Sequence, residues 1–85
     1  MNKYVLKAMR YMDNPELFTI EEMVANSKEA DAVYSVADAA AYAANAINTS
    51  CAEESADDAV DAVDNYFKAT GENKDVYSLK VRSLR

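Results

Sequence analysis

At 85 residues, with a formal charge of −6, a pI near 4.4 and no histidine, this chain is a single acidic domain lacking the imidazole that most acid–base, nucleophile-activating and zinc chemistry uses. A chain this short buries only a little over ~60% of its unfolded surface, and because so much of its apolar content is alanine, association into a homo-oligomer is expected. The negative balance speaks against direct nucleic-acid binding, which needs cations to displace phosphate counterions.

The first predicted element is a short amphipathic helix over about 2–12, with Val5, Met9 and Met12 on one face and Lys3, Lys7 and Arg10 on another. Asp13-Asn14-Pro15 ends it, because the residue before proline is driven out of helical geometry while proline suits the first turn of a new helix. Thr19 then caps a second helix from about Ile20, Glu22 closes a capping box, and Phe18 is placed to staple onto Met23. This helix is expected over about 20–48, either pausing near 26–27, where Ser27 offers a second cap, or continuing through.

Between Pro15 and Gly71, the only proline and glycine, 55 residues contain neither helix breaker. Val33, Ala37, Ala40, Ala44 and Ile47 recur at spacings of four and three, a narrow stripe of small residues suited to close helix packing and to oligomer contacts. Asn48-Thr49-Ser50 offers a break, and Ser50 with Glu53 repeats the capping-box pattern. The sequence thus predicts two antiparallel helices joined by a tight turn; the alternative is one uninterrupted helix of about 60 Å.

The next helix is predicted over about 51–69, with Ala52, Ala56, Ala59, Val60, Val63 and Phe67 inward and Gly71 as a left-handed cap. The tail carries Tyr77, Val81 and Leu84 at helical spacing, although Tyr77, Leu79 and Val81 also alternate as in a strand; a short helix over about 74–84 is the expectation. The resulting fold class is all-α, a small bundle built on an alanine-rich antiparallel hairpin with short amino- and carboxy-terminal helices.

No catalytic constellation is legible, and no enzyme activity, cofactor or metal is expected. Cys51 cannot form an internal disulfide and is read as a small residue turned into the bundle; a reducing cytoplasm is the default setting. The longest uncharged run, Ala39 to Ala52, is 14 residues and too polar to span a membrane. Asp57-Asp58-Ala59-Val60-Asp61 lacks the glycine turn and alternating oxygens of a calcium loop.

What stands out is charge. From Glu29 to Phe67 there are nine carboxylates and no lysine or arginine, whereas both ends of the chain are basic. Glu54, Asp57, Asp58, Asp61 and Asp64 form an acidic helical stripe, in which like charges three and four residues apart cost helix stability. Either the basic ends of this chain or of a second copy neutralise it, or it docks on a basic surface of another protein.

The opening Met1-Asn2-Lys3-Tyr4-Val5-Leu6-Lys7-Ala8-Met9, the junction Asp13-Asn14-Pro15-Glu16-Leu17-Phe18-Thr19 and the close Asn65-Tyr66-Phe67-Lys68-Ala69-Thr70-Gly71-Glu72 resemble a group of small alanine-, aspartate- and tyrosine-rich proteins of T-even-type bacteriophages. The resemblance transfers no catalytic or binding residue; it implies a phage accessory protein acting on a host enzyme or a defence system. The expected function is therefore an interaction protein that inhibits or modulates a host or anti-phage defence protein through the acidic stripe. The alternatives are an oligomer that sequesters a small signalling nucleotide between subunits, with Lys3, Lys7, Arg10 or the tail holding phosphate, and a helical component of the virion.

Overall fold

The computed structural model describes residues 1–34, 38–45 and 52–84, with side chains from Ala59 onward in the last stretch. Among the described residues there are five α-helices and no strand: α1 (Lys3–Asp13), α2 (Ile20–Val33), α3 (Ala39–Asn45), α4 (Ala52–Thr70) and α5 (Lys74–Ser83), with a 3₁₀ turn at Pro15–Leu17. The chain is an all-α small bundle.

Helix α1 starts where the Asn2 side chain accepts the N–H groups of Tyr4 and Val5, two donors that a helix start leaves unpaired. It buries Tyr4, Val5, Ala8, Met9 and Tyr11, and it touches all four other helices. Its position reflects volume: the alanine-rich helices can approach closely but fill little space, and α1 brings the bulky side chains that close the gaps between them. At its other end Asn14 serves twice, donating its N–H to Arg10 and accepting the N–H of Glu16 as Pro15 opens the 3₁₀ turn.

The capping box of α2 forms as the sequence predicts: Thr19 Oγ1 accepts from Glu22 N–H at 3.1 Å and Glu22 Oε1 accepts from Thr19 N–H at 3.0 Å. Phe18 packs against the cluster of Ala8, Tyr11, Met23 and Ala59, which realises the staple. No pause occurs at 26–27. Asn26 and Ser27 are buried within the helix because each finds a tertiary partner, Asn26 donating to the Tyr4 carbonyl at 3.2 Å and Ser27 donating to Asn45 Oδ1.

The helix predicted over 20–48 is instead two helices, since α2 ends at Val33 and Tyr34 takes an extended backbone. Asp38 caps α3, its Oδ1 accepting the Ala40 N–H at 2.9 Å. The small-residue stripe counted across this break is therefore not one face. Ala40 and Ala44 are buried, but Val33 is 61% exposed; Ala37 and Ile47 lie outside the described residues. The turn predicted at 48–50, the second capping box and Cys51 also lie outside them.

Helices α3 and α4 pack side by side, with Ala40 and Ala43 in one cluster with Ala62, Val63, Tyr66 and Phe67, an arrangement that a single rod could not make. The inner face of α4 reads Ala59, Ala62, Val63, Tyr66 and Phe67, spacings of three and one that match the helical period. Val60, expected inside, is 42% exposed, because it lies at the outer rim of that face, just beyond the Phe67 row. Gly71 ends α4 at φ +74° and donates its N–H to Phe67, and Asn73 caps α5. Tyr77 and Val81 settle the tail as a helix by joining Val5, Met9, Tyr66 and Phe67 in the main core.

Candidate functional site

The carboxylates predicted to bind a partner all fall on α4. Asp61 and Asp64 are exposed there, beside the exposed Val60. Glu54, Asp57 and Asp58 belong to the part of α4 described by its backbone alone. Lys74 Nζ pairs with Asp64 Oδ1 at 2.6 Å, with both side chains about half exposed. Among the described residues, neutralisation by the basic ends of the chain thus reaches only the carboxy-terminal end of the stripe.

The cations of α1 are engaged elsewhere. The Lys3 ammonium stands 5.1 Å from the Tyr4 ring centre, and Lys7 and Arg10 both approach Phe18, at 5.2 and 5.1 Å. Lys7 also contributes, as a lesser cause, to holding the Glu22 carboxyl below its ordinary value; the main cause is the backbone hydrogen bond at Thr19.

A second polar centre lies where the chain's first residues meet the α4–α5 junction. The Glu72 carboxylate accepts hydrogen bonds from the hydroxyls of Tyr66 and Tyr77, the latter at 2.6 Å. Tyr77 Oη in turn accepts the backbone N–H of Asn2 at 2.6 Å, and Asn2 Nδ2 donates to Tyr34 Oη at 3.1 Å. The side chains are positioned by their elements: Tyr66 by the inner face of α4, Tyr77 by α5, Tyr34 by the break after α2, and Glu72 by the left-handed turn at Gly71. The rings support one another edge to face, Phe67 against Tyr77 at 4.9 Å and Tyr66 against Phe67 at 5.2 Å.

The electrostatics arise from these bonds. Donation by Tyr66 and then Tyr77 holds the Glu72 carboxyl below its ordinary value, while burial first, and the bond to Glu72 second, push both phenols up. At neutral pH the carboxylate is charged and the phenols are intact donors. Beside them opens a cleft of about 390 Å³, lined in part by Asn2, Tyr34, Asp38, Tyr66, Thr70 and Glu72.

None of these cluster residues was singled out as a site by the sequence. Tyr66 and Tyr77 carry a helical inner-face pattern, which a core tyrosine shares, and nothing local ties Asn2 to residues some 70 positions on. Among the described residues, no group of three or more His, Cys, Asp or Glu side chains is disposed to hold a metal ion, and no helix is long and apolar enough to cross a membrane. Compared with protein-family models, curated proteins and solved structures, the chain matches none.

Proposed function

We propose that this is a bacteriophage-encoded interaction protein that works in the host cytoplasm by binding, and inhibiting or modulating, a host or anti-phage defence protein with a basic surface. The observation that carries the reading is the outer face of α4, where Asp61 and Asp64 are exposed and Asp64 pairs with Lys74. A carboxylate row whose nearby lysines, Lys68 and Lys74, stand only at its carboxy-terminal end costs stability, which compensation by a partner would offset. The cations of α1, turned toward Tyr4 and Phe18, do not supply it. The likeness of residues 1–9, 13–19 and 65–72 to T-even-type phage proteins supports the setting.

Copies of the chain are expected to associate, which would repeat the acidic face around an oligomer. Reversing charge at Asp57, Asp61 and Asp64 to lysine tests the reading. Capture of a host protein from infected cells should be lost while the helical circular-dichroism spectrum is kept; capture that survives the reversal removes the acidic face as the interface. The nucleotide-sequestering alternative gains little from the cleft beside Asn2, where two carboxylates, Asp38 and Glu72, outnumber the single amino-terminal ammonium of Met1.

A further inference from the structure

The small-residue stripe expected to make oligomer contacts is spent inside the fold, since Ala40 and Ala44 are buried. A different face is left open. Helix α5 turns Tyr77 and Val81 into the core, and its opposite side carries Val76 and Leu79, 50% and 61% exposed, with Ser83 one turn beyond Leu79. Asp75 and Arg82 run along one edge of that side and Lys80 along the other, all three exposed.

Asp75 and Arg82 are seven residues apart, close to two full turns, so they share an edge at a spacing of about 10 Å along the axis. When two copies of one helix pack antiparallel across a two-fold axis, like edges face each other and a residue on one side of the axis meets one from the other side. With the axis beside Leu79, Asp75 of each copy stands opposite Arg82 of the other, and the apolar residues Val76 and Leu79 of the two copies meet between them.

We propose that the outer face of α5 is a self-association surface, on which a second copy of this chain docks its own α5 antiparallel, with Val76 and Leu79 at the centre and reciprocal pairs of Asp75 with Arg82 along one edge. A second copy is the occupant because the charge pattern is its own complement, so that two-fold symmetry alone matches each acid with a base. The same symmetry sets Lys80 against Lys80 on the far edge, a like-charge cost that the two attractive pairs outweigh. Two helices of 10 residues make a contact below the standard interface area, so the dimer should be half-formed between roughly 10 and 1,000 μM. The dimer and the capture of a host protein through α4 are separate, and either can fail alone.

The test is sedimentation equilibrium of the full chain at low salt from about 10 μM to about 2 mM, with circular dichroism of each variant as the control for folding. A monomer–dimer equilibrium is expected. Leu79→Lys, at an exposed position, should keep the helical spectrum and leave the chain monomeric. Asp75→Lys and Arg82→Glu should each weaken the dimer about tenfold, and the two together should restore it, because the reversed pairs attract again. Lys80→Ala should tighten it. Asp61→Lys with Asp64→Lys should leave it unchanged. A chain that stays monomeric throughout the range, a dimer that survives Leu79→Lys, a double reversal no tighter than the single ones, or a dimer lost with the α4 carboxylates overturns the proposal.

Discussion

The backbone N–H of Asn2 donates to the hydroxyl of Tyr77 at 2.6 Å, closing a hydrogen bond across 75 positions of chain. The same hydroxyl donates to Glu72, and the side chain of Asn2 caps α1. Helix initiation at one end of the sequence is thereby coupled to the packing of α5 at the other.

Removing that hydroxyl isolates the coupling. Tyr77→Phe keeps the ring that packs on Phe67 but takes the Tyr77 partner from Asn2 N–H and from Glu72, and should destabilise the fold by about 1–3 kcal/mol. Tyr77→Ala also empties core volume and should cost about 3–5 kcal/mol. Urea denaturation followed by circular dichroism measures both, and a Phe variant as stable as the parent would show the network to be energetically idle.

Stability should form a plateau with two edges. The Glu72 carboxyl is depressed, so its contribution is present above the ordinary value of 4.5 and is lost as pH falls below it. The Tyr77 phenol is raised, as is that of Tyr66, so their contribution is complete below the ordinary value of 10.0 and is lost as pH rises beyond it. Urea midpoints measured from roughly pH 3 to pH 11 should trace this shape. Glu72→Gln should flatten part of the acid edge, and Tyr66→Phe part of the alkaline one.

Gly71 stands at φ +74° with nothing within 4 Å of where a Cβ would be, so a substitution there meets backbone strain and no steric block. Gly71→Ala should cost about 1 kcal/mol, and Gly71→Asn less, because asparagine tolerates the left-handed region. Thermal melts of the two variants should keep that order.

Thr19→Ala breaks the side-chain arm of the capping box and should lower stability by about 1 kcal/mol. Lys74→Ala removes an exposed ion pair and should change stability by less than about 1 kcal/mol. A larger loss from the lysine than from the cap would mean that the charge on α4 is a structural problem that α5 solves.

The parts of the fold legible in the sequence were those written locally. Thr19 with Glu22, Asn14 with Pro15, and Gly71 each announce a boundary through chemistry that acts within four residues. The break after Val33 was missed because alanine periodicity runs smoothly across it; the signal was Asp38 standing before an alanine run, which is an N-cap pattern. Asn26 and Ser27 misled in the opposite direction, since polar residues within a helix suggest a cap until a tertiary partner is known. Asp61 and Asp64 were legible as exposed because a charged stripe at helical spacing has one sensible orientation. The tyrosine and carboxylate cluster was not, because it exists only once Asn2, Tyr66, Glu72 and Tyr77 have been assembled from distant segments. Segments 1–9 and 65–72 are brought together there through Tyr77.

The central place of α1 has a consequence for the order in which the chain can become a protein. This helix leaves the ribosome before α4 and α5, yet those two helices cover its Val5 and Met9. The nascent chain must therefore hold an amphipathic helix without these partners while the intervening helices are made, and native packing becomes available only after Tyr77 and Val81 emerge. Folding on the ribosome should accordingly be late and abrupt, and chains stalled before α5 should be the ones that proteases and chaperones find.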